Sequence, residues 1–170
     1  IVLVDKNNPF GNGNLLPRGV LREHVRNLRR ADFIFITKSD GCSAILREQI
    51  QRLNRHAEII ECRHAPKRLK NVYGKTNRDL SWLEGKRVLA LSGIAVPQSF
   101  EAFLRNYGAE LAECVRYADH HRYATQEVIN VVNHAADIGC AAVITTEKDA
   151  VRFPRLSSVA VPVFYLRIEI

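Results

Sequence analysis

The sequence predicts an α/β protein with mostly parallel sheet. Three observations carry that expectation. Strand-length apolar runs alternate with helix-length amphipathic ones along the chain. Several of the strand runs are apolar at nearly every position, as strands covered on both faces must be. Polar segments follow directly on strand ends, where α/β folds gather their functional groups.

The first strand is expected over residues 1–4 and is closed by Asp5. Because the chain opens inside an apolar strand, we expect further sequence upstream. Residues 7–19 read Asn-Asn-Pro-Phe-Gly-Asn-Gly-Asn-Leu-Leu-Pro-Arg-Gly, a loop whose glycines and asparagines accept positive-φ turns. Next come a helix over 19–30, a strand over 33–37, a helix over 43–55 and a strand over 58–62. Residues 65–83 are polar and basic, with Gly74 among them, and read as a loop-rich connector. A strand follows over 87–91. Pro97 suits the first turn of a helix over 97–106, with Gly108 as its stop. After a strand over 111–117, Thr125 opens a helix over 125–138, its hydroxyl placed to cap free amides, and Gly139 ends it. The last strands are expected over 142–145 and 161–168.

A length of 170 residues suits one compact domain or two small lobes. No apolar run reaches the roughly 18 residues that would span a bilayer. The net charge of +7 points to acidic partners such as phosphates, nucleic acid or an anionic membrane face. Much of the excess lies in 18–30 and 63–78. Neither stretch carries the interleaved aromatics of an RNA-binding sheet, so nucleic acid is not the expected partner. Cys42, Cys62, Cys114 and Cys140 fit no CxxC metal template and read as reduced thiols.

Asp5 at a strand's carboxyl end suits either a Mg²⁺-holding carboxylate beside nucleotide phosphates or a cap on the following loop. No GxxxxGK[ST] phosphate-binding loop occurs in the chain. Thr37-Lys38-Ser39-Asp40 directly follows a strand. In many phosphate-loop hydrolases a similar [NT]KxD segment holds the base, the lysine stem along the purine and the aspartate on its edge. Asp119-His120-His121 also follows a strand. A histidine beside a carboxylate suits general acid–base chemistry, and solvated loop histidines are the alternative. Thr145-Thr146-Glu147-Lys148-Asp149 ends another strand and is expected to cap the next helix and pair internally.

The order of these segments is more specific than any one of them. LVDKNNPFGNGNLLPRGVLRE, RRADFIFITK, LSGIAVPQSFEAFLRNYGAEL, YADHHRYATQEV and VITTEKDAVRFP resemble, in order, signatures of the tetraacyldisaccharide 4'-kinase family. Ala95 and Val96 stand where that family usually has glycine and asparagine, and His24 where proline commonly follows LRE. The resemblance implies the C-terminal part of a P-loop NTPase-like core over 1–57, a linker strand and connector over 58–85, a second small Rossmann-like α/β lobe over 86–160 and a returning linker strand over 161–170. It implies transfer of the γ-phosphoryl of ATP to the 4'-hydroxyl of tetraacyldisaccharide 1-phosphate, a lipid A precursor, at the cytoplasmic face of the bacterial inner membrane. The phosphate-binding loop and an Asp-Asp-Gly catalytic segment would lie in a missing N-terminal segment, so the isolated chain is expected to be inactive. By the same resemblance Asp5 serves Mg²⁺, and Lys38 and Asp40 serve the nucleotide. Asn12, Arg18, Arg22 and Glu23 serve the lipid substrate, and Asp119 and His120 are catalytic, His120 orienting or sharing charge with an aspartate of the upstream segment.

Overall fold

Three short apolar strands, β1 (Val2–Asp5), β2 (Phe33–Thr37) and β3 (Glu58–Glu61), form a parallel sheet in the order β1-β2-β3. Helix α1 (Ala44–Leu53) connects β2 to β3, and a 3-10 turn over Val25–Arg30 precedes β2. Because side chains alternate across a strand, Val4, Ile34, Ile36 and Ile59 fall on one face, where they bury against Leu46 and Ile50 of α1. Asn54 closes α1: its side-chain amide donates to the Leu28 and Ala31 carbonyls, and its oxygen accepts from the His56 and Ala57 amides.

The computed structural model describes residues 1–63 and 65–169. They form two compact units, Ile1–Ala65 and Pro66–Glu169. The second holds β4 (Ala65–Asn71), β5 (Arg78–Asp79), β6 (Arg87–Ser92), β7 (Glu110–Arg116), β8 (Ala142–Thr146) and β9 (Val163–Glu169), in the sheet order β5-β4-β9-β8-β6-β7. The β9-β8-β6-β7 portion is parallel. Val88, Ala90 and Ile144 face α2 (Pro97–Asn106) through Phe100 and Leu104. Leu89, Leu91 and Val143 face α3 (Thr125–Asp137) through Val128 and Val132. Burial on both faces is why these strands read as continuous apolar runs.

The α/β alternation is as expected, with four differences. The helix expected over 19–30 is only the 3-10 turn Val25–Arg30. Upstream of it the chain turns instead, with a bridge between Leu15 and Leu21. Pro17 and Gly19 disfavour a regular helix start there. The connector expected over 65–83 contains β4, which hides Leu69 completely while exposing Arg68, together with β5 and a 3-10 turn at Leu80–Leu83. The strands expected as linkers are hydrogen-bonded members of the two sheets, β3 beside β2 and β9 between β4 and β8. Thr125 is not the cap of α3. That place is Ala124, whose amide donates to Glu127 Oε2 at 2.7 Å. A final short helix, α4 (Glu147–Ala150), follows β8.

Candidate functional site

In the first unit, the carboxyl ends of the parallel strands bring Asp5 and the segment after Thr37 together, because Asp5 pairs in register with Thr37. Asp5 caps the following turn, as one reading of the sequence had it, and also pairs with a lysine. Its Oδ1 caps the following turn by accepting the Asn7 amide at 2.9 Å, and its Oδ2 accepts Lys38 Nζ at 2.5 Å. The Lys38 hydrogen bond holds the Asp5 carboxyl below its ordinary range, against the opposing effect of burial. Lys38 itself adopts a left-handed backbone, φ 57°, uncommon outside glycine and asparagine. Asp40 pairs with Lys6, which lowers its pKa in the same way. Between these two pairs Ser39 is buried, its hydroxyl donating to Glu61 Oε2 at 2.5 Å and meeting Ser43 Oγ at 2.9 Å. Glu61 is thereby held acidic, chiefly by the Ser39 hydrogen bond. The segment Lys38–Asp40 is thus anchored by its middle residue while its two charged neighbours face outward.

The glycine- and asparagine-rich loop is held by its own polar groups. Asn12 Nδ2 donates to the Arg18 carbonyl at 2.9 Å, and Asn12 Oδ1 accepts the Asn14 amide at 3.1 Å. A Cβ on Gly19 would overlap Asn12 Oδ1 and the Asn14 carbonyl, so this turn requires glycine. Arg22 and Glu23 line a cavity of about 390 Å³ with Val4, Phe10, Leu21 and Val25, whereas Asn12 and Arg18 do not. Glu23 is engaged by Arg30 and by Asn27 Nδ2, the latter at 2.9 Å.

The second unit has its own polar centre, at the point where the strand order reverses. From β6 the chain passes through α2 to β7 on one side; from β8 it passes through α4 to β9 on the other. The carboxyl ends of β6 and β8 therefore flank a crevice of the kind in which open α/β sheets bind ligands. Asp149, wholly buried, sits there. Its Oδ2 accepts the Gly93 amide at 3.0 Å and the Thr146 hydroxyl at 2.7 Å. Thr146 Oγ1 in turn caps α4 by accepting the Asp149 amide at 3.2 Å, the local pairing expected of this segment. A Cβ on Gly93 would lie 2.7 Å from the Tyr123 hydroxyl and 3.2 Å from Asp149 Oδ1. Burial, then the neighbouring Asp149 charge, push the Tyr123 hydroxyl far above its ordinary pKa.

The two adjacent histidines diverge. His121 stacks on Tyr117, with ring centroids 4.4 Å apart, and bonds Glu127 Oε2 at 3.1 Å. His120, at φ 63°, is turned outward; its Nε2 lies 3.7 Å from Asp119 Oδ2 and its Nδ1 lies 3.0 Å from Arg152 Nη2. Arg152 was not among the residues singled out from sequence. The available signal was its position three residues after Asp149, in the turn that follows α4. Asp5, Lys38, Asp40, Asn12, Arg18, Arg22 and Glu23 thus belong to the first unit, and Asp119 and His120 to the second.

Comparison with known proteins places these features in a family. The profile of the family described as Tetraacyldisaccharide-1-P 4'-kinase (LpxK) matches residues 1–170. The chain belongs to this family. Among its relatives, the tetraacyldisaccharide 4'-kinase of Anaeromyxobacter dehalogenans strain 2CP-C is 43% identical over 164 residues, covering 94% of this chain and 43% of that protein. That of Syntrophus aciditrophicus is 36% identical over 179 residues, covering 99% and 48%. The chain therefore spans less than half the length of these LpxK relatives. A crystal structure of Aquifex aeolicus LpxK with ATP superposes with a TM-score of 0.58 at 21% identity, over 98% of this chain and 46% of that one. That likeness establishes the fold class expected from sequence, the P-loop NTPase-like α/β architecture of LpxK.

Proposed function

We propose that this LpxK chain supplies part of a kinase that transfers the γ-phosphoryl of ATP to the 4'-hydroxyl of tetraacyldisaccharide 1-phosphate, giving a bis-phosphorylated lipid A precursor. The observation that carries the reading is the family match along the whole chain, joined to strand-end groups suited to nucleotide phosphates. The phosphate-binding loop comes from sequence outside these 170 residues, since the chain covers under half of its relatives and contains no GxxxxGK[ST]. We assign the reaction to the cytoplasmic face of the bacterial inner membrane. Among the described residues no helix is long and apolar enough to cross a membrane; the net charge of +7 supports contact with an anionic lipid surface through basic side chains.

Phosphoryl transfer asks a protein mainly for positioning and charge stabilisation. Mg²⁺ is usually held by one or two carboxylates plus substrate phosphates. Asp5 offers one such carboxylate at a strand end, and among the described residues no group of three or more His, Cys, Asp or Glu forms a complete metal cage. The residues present therefore fit a phosphate-shared ion, which when bound would neutralise charge on the transferring phosphoryl. Lys38 holds Asp5 ionised and would lie along the nucleotide, and Asp40 would meet the base edge. Arg18 and Arg22 recognise the substrate phosphate by charge-assisted bonds, with Asn12 and Glu23 fixing the loop that carries them. Asp119 and His120 serve the acceptor hydroxyl.

The test is γ-phosphoryl transfer from labelled ATP to tetraacyldisaccharide 1-phosphate, by the chain alone and by the chain joined to its upstream coding region. Transfer by the joined protein alone supports the proposal. Inactivity of both overturns it and leaves a nucleotide- or phosphate-binding module as the account.

A further inference from the structure

The outward-facing His120 is held by a chain of groups that begins in the core. Asp149 is wholly buried, and while its Oδ2 is satisfied by Gly93 and Thr146, its Oδ1 has no hydrogen-bond partner. That oxygen lies 3.7 Å from Arg152 Nη1, which is itself buried and without a hydrogen-bond partner. Arg152 is thus the charge that faces the buried carboxylate, which the Tyr123 hydroxyl also approaches. The other end of the same guanidinium, Nη2, lies 3.0 Å from His120 Nδ1. The histidine backbone is pinned to the same place, its amide donating to the Gly93 carbonyl at 3.2 Å. Gly93 thus gives its N–H to Asp149 and its carbonyl to His120, at the crevice where the strand order reverses.

We propose that Arg152 is the positioning residue of His120: it occupies Nδ1 and so fixes the tautomer that carries the ring proton on Nε2. The chemistry leaves one arrangement. A guanidinium has five donors and no acceptor, so a hydrogen bond from Nη2 requires an unprotonated Nδ1. The hydrogen bond made by one ring nitrogen sets which nitrogen carries the proton, and the proton is then on Nε2, the atom facing Asp119 Oδ2 at 3.7 Å. Asp149 holds Arg152 in place from beneath.

The functional meaning of this device rests on the kinase reading above. With Nδ1 occupied and Nε2 protonated, His120 has no free lone pair with which to take the proton of a hydroxyl. It acts instead as a donor, giving Nε2–H to a carboxylate or phosphoryl oxygen, and the proton of the acceptor hydroxyl goes to a carboxylate. Of the two readings in the sequence, a general base or the orienting role that the family resemblance implies, this tautomer is compatible with the second, and Arg152 is the residue that enforces it.

The test is two-bond ¹H–¹⁵N correlation of the histidine rings in the full, uniformly labelled chain at mildly alkaline pH, with H120N identifying the His120 signals. The expected wild-type spectrum shows Nδ1 as an unprotonated, hydrogen-bonded nitrogen and Nε2 as the protonated one. In R152M, which keeps the stem and removes the donors, the two resonances should move toward each other as the second tautomer becomes populated. R152K, with a donor restored, should separate them again. D149N should produce a smaller movement in the same sense. A protonated Nδ1 in the wild type, or an R152M spectrum that matches the wild type, overturns the proposal. Should R152M fail to give a folded amide spectrum, the wild-type Nδ1 shift decides alone. These readouts need no turnover, so failure of the transfer assay with the expected tautomer would refute the kinase reading and leave the positioning role standing.

Discussion

Neighbouring residues Leu89 and Ala90 of β6 point to opposite faces of the second unit's sheet, and each is at most 2% exposed. Neighbouring residues of β1 in the first unit divide differently: Val4 is buried and Leu3 is 69% exposed. The second unit is a sheet covered on both sides, the first a sheet covered mainly on one. The same contrast extends to the candidate sites. In the second unit the site is anchored to a buried carboxylate, Asp149. In the first, Asp5 with Lys38 and Asp40 with Lys6 pair near the surface, where ion pairs contribute little and are readily exchanged. One unit holds its polar groups on a buried anchor, and the other holds them in ion pairs near the surface.

The comparison should break first at Arg116. Its guanidinium bonds both oxygens of Glu101, at 2.7 and 2.8 Å, and the Glu101 side chain is only 4% exposed. Arg116→Met leaves the buried Glu101 carboxylate with only Arg105, 3.9 Å away, and should give the largest loss of stability in the series, read by urea unfolding through Trp82, the single tryptophan. The same pair predicts a pH dependence. The Arg116 hydrogen bonds hold the Glu101 carboxyl below its ordinary range. Its stabilisation is therefore present above the unfolded glutamate pKa of about 4.3 and lost as pH falls through the lower folded value. In Glu101→Gln that acid-side loss should disappear from the Trp82 transition.

Next in size, Ile144→Ala in the doubly covered sheet should cost about 2–5 kcal/mol, while Leu3→Ala should change stability by no more than about 0.5 kcal/mol. Equal losses at the two positions, measured by denaturant unfolding, would mean that Leu3 is covered as fully as Ile144. Thr146→Ala removes the cap of α4 and a hydrogen bond to Asp149, for a loss of about 1 kcal/mol. The smallest effect belongs to Lys6→Gln, a shift near the limit of detection in the same unfolding assay and diminished further by salt.

Much of this architecture was legible because burial on two faces leaves no choice of residue. The central strands of the second unit's parallel portion, β6 and β8, announce themselves as apolar runs. β4 did not, because in Ala-Pro-Lys-Arg-Leu-Lys-Asn only Leu69 reaches the core, and a strand with one buried side chain carries no periodicity. The segment 19–30 misled in the opposite direction: its leucines, valines and arginines have helical spacing, but Pro17 and Gly19 fix turns ahead of it. The site residues were visible as polar groups at strand ends. Their partners were not, since Glu101–Arg116, Gly93–Asp149 and His120–Arg152 are 15, 56 and 32 residues apart and meet only through strand order.

Lys38 and His120, at φ 57° and 63°, are the two non-glycine residues with positive φ among those described. Asparagine tolerates this left-handed conformation better than most side chains, and β-branched residues tolerate it worst. Shape and chemistry at these two corners can therefore be edited separately. Asparagine at either position removes the amine or the imidazole and leaves the turn intact, whereas valine would damage the turn as well. A matched asparagine and valine pair at each corner thus distinguishes a side chain needed for what it bonds from one needed only for where it lets the backbone go.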